Sequence, residues 1–255
     1  MSNFITSKFY GRLGNLMFIT AAQIGYAKKH DTEWFIPRNY HHREIYKHWP
    51  KIPVFKGNPR KLKVYDRTLS DATWCYEEIP FHEGGLEIRG FFQSLRHFSN
   101  AEHEVKNAFK LPIEPIDYCS IHVRRGDYLD KNQQTFCPVD MNYIRQAMQK
   151  MKDFGKTKFM VVSDDLPWCR ENIKDSDCEI KFSDGKSVFS DLTLMASCTD
   201  HIISNSTLAW FGAWLGHNEN KVIISPAAEA PNWFLHNRMD TKDLLPESWI
   251  KISYR

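Results

Sequence analysis

The sequence predicts an α/β protein whose second half is a parallel sheet with helices on both faces. Two observations carry this. From Tyr118 onward, five short apolar or β-branched runs alternate with four stretches of helical periodicity. Polar clusters directly follow three of those runs, and open parallel sheets bind ligands beyond the carboxyl ends of their strands.

The elements follow in order. Residues 4–10 are β-prone and end at Gly11. Leu13, Met17, Thr20, Ala21 and Ile24 then recur at helical spacing, so the chain opens as strand, glycine turn, helix. Residues 33–36 form a second strand, stopped by Pro37. Residues 37–85, rich in Pro, His and aromatic side chains, yield loops, short helices and a strand near 62–65. Residues 86–88 read as a strand and 100–110 as a helix. The segment Leu111-Pro112-Ile113-Glu114-Pro115 is a stiff linker, and it sets the expected division of the chain into residues 1–115 and 116–255. In the second half, strands at 118–123, 158–162, 178–182, 201–204 and 221–225 alternate with helices. Met141, Ile144, Ala147, Met148 and Met151 mark one face of the first helix; the others cover 168–173, 188–198 and 207–215.

Composition excludes several classes. Hydrophobic content of 42% and charged content of 25% are those of a globular protein. A net charge of +3 is too small to argue for a nucleic-acid partner. Eight tryptophans suit either a large aromatic core or a ring-shaped ligand. The six cysteines lack metal-ligand spacing and read as free thiols of a reducing compartment, so a cytoplasmic location is expected. Residues 1–10 hold no long apolar run, so no secretory leader is expected. No stretch approaches the roughly 20 apolar residues that span a bilayer.

Five clusters bear chemistry. His122-Val123-Arg124-Arg125-Gly126-Asp127 ends a strand. Its guanidinium forks match phosphate oxygens, and adjacent Arg residues on a strand point to opposite faces. One can meet a ligand while the other pairs with Asp127 or braces a second domain. Ser204-Asn205-Ser206-Thr207 ends a strand and opens a helix, a place for capping or for an anion. Gly11, Gly14 and Asn15 sit in a strand-to-helix turn where a phosphate can approach the backbone. Asp164 and Asp165 also follow a strand, where they can accept hydrogen bonds from a base or ribose, or cap the next helix. Asp175-Ser176-Asp177 has a metal-binding D-x-D form but precedes a strand rather than ending one, and no metal site is assigned to it. The basic run at Arg60 and Lys61 reads as a solvated loop.

Taken together, these segments resemble the α-1,2-fucosyltransferases of glycosyltransferase family 11. The segments that carry the resemblance are GRLGNLMF at 11–18, GFFQSLRHF at 90–98, HVRRGD at 122–127, VVSDDLPWC at 161–169 and DLTLMASCTDHIISNSTLAWFGAWL at 191–215. The resemblance implies a GT-B fold: two Rossmann-like domains facing a cleft, the first on the acceptor side and the second binding the donor. It implies inverting transfer of L-fucose from GDP-β-L-fucose to a glycan hydroxyl, most simply O2 of a terminal β-galactoside, with no required cofactor or metal. Expected donor contacts are Gly11, Gly14, Asn15, His122, Arg124, Arg125, Asp164, Asp165, Asn205, Ser206 and Thr207. Of these, Arg124 meets the β-phosphate, His122 and an acid of the 164–165 pair lie near guanine, and Ser206 and Thr207 lie near the diphosphate. The catalytic candidates are Arg124 and Asp127, the latter either as base or as a partner that orients an Arg. Two alternatives stay open: a GDP-binding protein without turnover, and a transferase using another nucleotide sugar.

Overall fold

The computed structural model describes residues 2–38, 43–68, 74–130, 135–236 and 240–255. The chain divides into two units, Met1–Lys110 with Arg238–Pro246, and Leu111–Asn237 with Glu247–Arg255. The division falls at the start of the Pro-rich linker. The return of 238–246 to the first unit has no counterpart in the sequence reading. Within that unit, Asp243 accepts from the Arg96 guanidinium (3.0 Å) and from the Tyr76 backbone N–H (2.9 Å), and Leu244 is buried.

The first unit is built on four parallel strands in the order β2-β1-β4-β3. They are β1 (Phe4–Ser7), β2 (Glu33–Trp34), β3 (Lys63–Asp66) and β4 (Gly85–Arg89). Helix α1 (Leu13–His30) connects β1 to β2 and is buried on nearly every side from Leu13 to Ala27. Tertiary packing, rather than a single apolar stripe, therefore holds it. Its polar Gln23 survives inside because Nε2 donates to the Phe35 carbonyl at 2.8 Å. Lys28, Lys29 and His30 occupy its last turn, where cations suit the helix dipole. Two short helices, α2 (Arg43–His48) and α3 (Glu102–Ala108), complete the unit.

The second unit carries six parallel strands in the order β10-β9-β8-β5-β6-β7. They are β5 (Ile116–Val123), β6 (Lys158–Ser163), β7 (Glu179–Phe182), β8 (Cys198–Ile202), β9 (Ile223–Pro226) and β10 (Ile250–Ile252). The intervening helices are α4 (Met141–Asp153), α5 (Leu166–Asn172), α6 (Val188–Ser197) and α7 (Thr207–Trp214). Asp140 caps α4 by accepting from the Tyr143 N–H at 3.0 Å. The face predicted for α4 packs into the core. Ile144 and Met151 are fully buried there, each stabilising the fold by about 1.5–3 kcal/mol. Tyr143 fixes the helix to the sheet by donating its hydroxyl to the Ile203 carbonyl at 2.6 Å.

Two expectations change. β8 starts at Cys198, directly after α6, rather than at His201. β10 was not foreseen; it is three residues long and, among the described residues, pairs with β9 alone. Both units are α/β layers on parallel sheets, as two Rossmann-like domains require.

Candidate active site

The second sheet reverses direction of growth at β5. The chain runs β5, β6, β7 to one edge, then returns through α6 to place β8 on the other side of β5. The crevice beyond the carboxyl ends of β5 and β8 is thus a topological switch point, where such sheets bind ligands. His122 to Asp127 leaves β5 at this point, and Ser204 to Thr207 leaves β8.

Three contacts tie the two segments and β6 together. His122 Nδ1 lies 2.8 Å from Ser204 Oγ, with both residues buried. Burial pushes the His122 pKa down to about 4, so the ring is neutral at pH 7. The Tyr128 hydroxyl donates to the Asn205 carbonyl at 3.0 Å, and burial raises its pKa. The Arg125 backbone N–H donates to Asp164 Oδ1 at 2.9 Å.

The two arginines are held differently. Arg124 is shared between Asp127 and Asp164, the latter at 2.8 Å. Arg125 donates through Nε to Asp165 at 3.0 Å, and its guanidinium lies 3.8 Å from the Trp168 ring centroid. Asp165 also caps α5 by accepting from the Trp168 N–H at 3.2 Å. A Cβ on Gly126 would meet Asp164 Oδ2 at 2.5 Å, so the carboxylate would have to move to admit a side chain. Asp127 is 45% exposed and Asp164 24%. Ion pairs this open to solvent contribute about 1 kcal/mol or less, so a phosphate can replace Asp127 on Arg124 at little cost.

Ser206 is the N-cap of α7 but makes no side-chain capping bond. Asn205 is buried and turned inward, its Nδ2 donating to the Cys137 and Trp233 carbonyls at 2.7 and 2.8 Å. It braces the loop. The predicted residues His122, Arg124, Arg125, Asp127, Asp164, Asp165, Asn205, Ser206 and Thr207 therefore gather around one sheet edge.

Gly11, Gly14 and Asn15 belong to the first unit. Gly11 has a φ of +73°, and a Cβ on it would collide with the Asn15 side chain. Asn15 Oδ1 in turn accepts from Gln93 Nε2 at 3.0 Å. Gly14 lies inside the first turn of α1 and is buried, so it serves helix packing rather than an open phosphate loop. Asp175 is ion-paired with Lys152 at 2.8 Å and accepts from the Asp177 N–H.

The sequence reading missed three neighbours of this edge. Trp168 and Tyr128 flank recognised motifs and could have been found by asking what covers an Arg face. Asp191 stands in the first turn of α6. Burial, with Asp184 and Asp164 adding, raises its pKa to about 6; nothing local in the sequence signals that environment.

Paired arginines braced by carboxylates at a switch point, beside a helix start, define a site suited to a phosphorylated ligand. The family model described as glycosyl transferase family 11 matches residues 87–253, and the chain belongs to that family. It is 28% identical over 211 residues to an alpha-1,2-colitosyltransferase of Escherichia coli, covering 75% of this chain and 71% of the relative. It is 30% identical over 191 residues to galactoside alpha-(1,2)-fucosyltransferase 1 of Saimiri sciureus, covering 71% of this chain and 50% of the relative. The chain thus spans about half the length of that relative. A solved structure of a mutant Arabidopsis thaliana FUT1 in complex with GDP is similar at 13% identity and a TM-score of 0.48, over 98% of this chain and 76% of that one. No helix among the described residues is long and apolar enough to cross a membrane.

Proposed function

We propose that this chain transfers L-fucose from GDP-β-L-fucose to a glycan hydroxyl, O2 of a terminal β-galactoside, with inversion and without a metal. The observation that carries the reading is the Arg124–Asp127–Asp164 cluster at the β5/β8 switch point, in a family of glycosyl transferases. The bond from the sugar C1 to the phosphate oxygen breaks, and its electron pair leaves with GDP. The acceptor oxygen attacks C1 from the opposite face and gives up its proton to solvent water. Arg124, released from Asp127, and the start of α7 at Ser206 and Thr207 stabilise the charge gained by the diphosphate. Asp127 orients Arg124 in this scheme rather than serving as the base, because its carboxylate already accepts from that guanidinium. His122 supports the site from beneath as a buried neutral ring. The thiols of Cys119, Cys137, Cys169, Cys178 and Cys198, which form no disulfide, suit the cytoplasmic location we propose.

Preorganised donors of this kind are worth about 3–4 kcal/mol each. Arg124→Ala is therefore expected to lower transfer at least about a hundredfold while the protein stays folded. A folded variant with near-normal turnover would overturn the assignment. Activity should persist in excess EDTA; complete loss that added metal restores would overturn the metal-free scheme and return attention to Asp175 and Asp177. The colitosyltransferase among the relatives favours one second reading, a donor whose sugar lacks a hydroxyl of fucose. Comparing kcat/KM for GDP-fucose and GDP-colitose decides between them.

A further inference from the structure

We propose that the first unit holds a binding site for an acidic sugar at the carboxyl edge of its own sheet. In the order β2-β1-β4-β3, the chain places β2 on one side of β1 and β4 on the other. The junction of β1 and β4 is therefore this sheet's switch point. A cavity of about 500 Å³ lies there, lined by the ends of both strands. That volume suits a small-molecule site.

Its lining has two unusual features. Thr6 and Ser7, at the end of β1, are each 1% exposed. Neither hydroxyl has a hydrogen-bond partner among the described residues. Unpaired buried hydroxyls are rare because they lose water without replacing it. Both oxygens are also sealed from solvent, so the two residues line the cavity through other atoms, and a ligand there is recognised by the charged side chains around it.

The second feature is charge. Among the described residues, Lys8, Arg38, Lys56, Arg60 and Arg89 line the cavity against one carboxylate, Glu87. Arg89 already pairs with that carboxylate at 2.7 Å. The Arg60-Lys61 run, read from sequence as a solvated loop, lies in a 3-10 turn that Asn58 caps, and that turn brings Arg60 to the cavity. Phe55, stacked on Phe4 with centroids 5.3 Å apart, adds an apolar face for a sugar ring. A neutral glycan needs no such excess of cations; a saccharide bearing a carboxylate or phosphate does. That this sugar is the acceptor rests on the transferase reading above.

Binding is measured calorimetrically without donor, using lactose, lactobionate and lactose 1-phosphate, which share one galactoside. The expected result is that at least one charged probe binds about tenfold or more tighter than lactose. A preference for lactobionate identifies a carboxylate, and a preference for lactose 1-phosphate a phosphate. The advantage should shrink with added salt and disappear in the Lys56→Ala, Arg60→Ala double variant, whose replaced side chains are exposed. Equal binding of the three probes, no binding of any, or a charge preference that survives the double variant would overturn the site. Charged-probe binding without fucose transfer would sink the transferase reading and leave the site standing. Transfer to lactose without any charge preference would do the reverse.

Discussion

At the scale of single residues, the question is what Asp127 does. It is the most exposed carboxylate touching Arg124, so it is the partner that a phosphate would displace. A bracing residue and a base differ in measurable ways. If Asp127 braces Arg124, Asp127→Asn should lower kcat less than about tenfold and leave the pH profile in place. Loss of a general base costs about a hundredfold or more and flattens the profile. Gly126 offers a second test. Gly126→Ala forces the new methyl against Asp164 Oδ2, so Asp164 must shift and its hold on Arg124 and on the Arg125 N–H weakens. The expected outcome is a raised donor KM with stability, read from urea unfolding, lowered by about 1 kcal/mol or less, because the atom that must shift ends the side chain of an exposed residue. Much of this residue pattern was legible in the sequence, because strand ends place polar side chains at the sheet edge whatever the tertiary packing. The inward turn of Asn205 was not, since it depends on the loops near Cys137 and Trp233 that accept its amide; nor was the burial of His122, which depends on tertiary packing and on Ser204 from the neighbouring strand's loop.

At the scale of elements, helix starts separate structural from functional hydroxyls. Asp140 and Ser187 cap α4 and α6 through their side chains. Ser206 heads α7 without such a bond. Asp140→Ala and Ser187→Ala should each cost about 0.5–2 kcal/mol of stability and leave donor binding alone. Ser206→Ala should change thermal stability little but weaken GDP binding, as measured calorimetrically. A Ser206→Ala variant as destabilised as Asp140→Ala would refute a ligand-facing role. α4 was legible because its apolar face recurs at helical spacing. β10 was not, because Ile250, Lys251 and Ile252 are too few to show a period and, among the described residues, pair with β9 alone. The boundary of α6 and β8 blurred for a related reason. Leu194 to Ile202 is mostly apolar and the residues from Leu192 to Ile202 run without a turn signal, so periodicity could not mark where helix gives way to strand.

At the scale of the whole molecule, buried ionisable groups set the response to acid. Burial lowers the pKa of His97 to about 3, of His122 to about 4 and of His201 to about 3. His97 belongs to the first unit and the other two to the second. In the unfolded chain these rings take up protons near pH 6.5; in the folded chain they stay neutral until the lower values. The unfolded state therefore binds more protons through that window, so stability is full above about pH 6.5 and falls as pH drops toward 4. Each ring contributes up to about 1.4 kcal/mol per pH unit at the steepest. Asp191 works in the opposite direction. Burial raises its pKa to about 6, so between its unfolded value and 6 the folded state holds the extra proton, and protonation relieves the cost of burying the charge. Asp191→Asn removes that relief. The variant should be more stable than the parent near neutral pH and should lose stability more steeply on acidification. Urea midpoints at about pH 7.5, 6 and 5 test both statements. A parent midpoint that does not change across that range would refute the histidine argument, and parallel curves for parent and variant would refute the role given to Asp191.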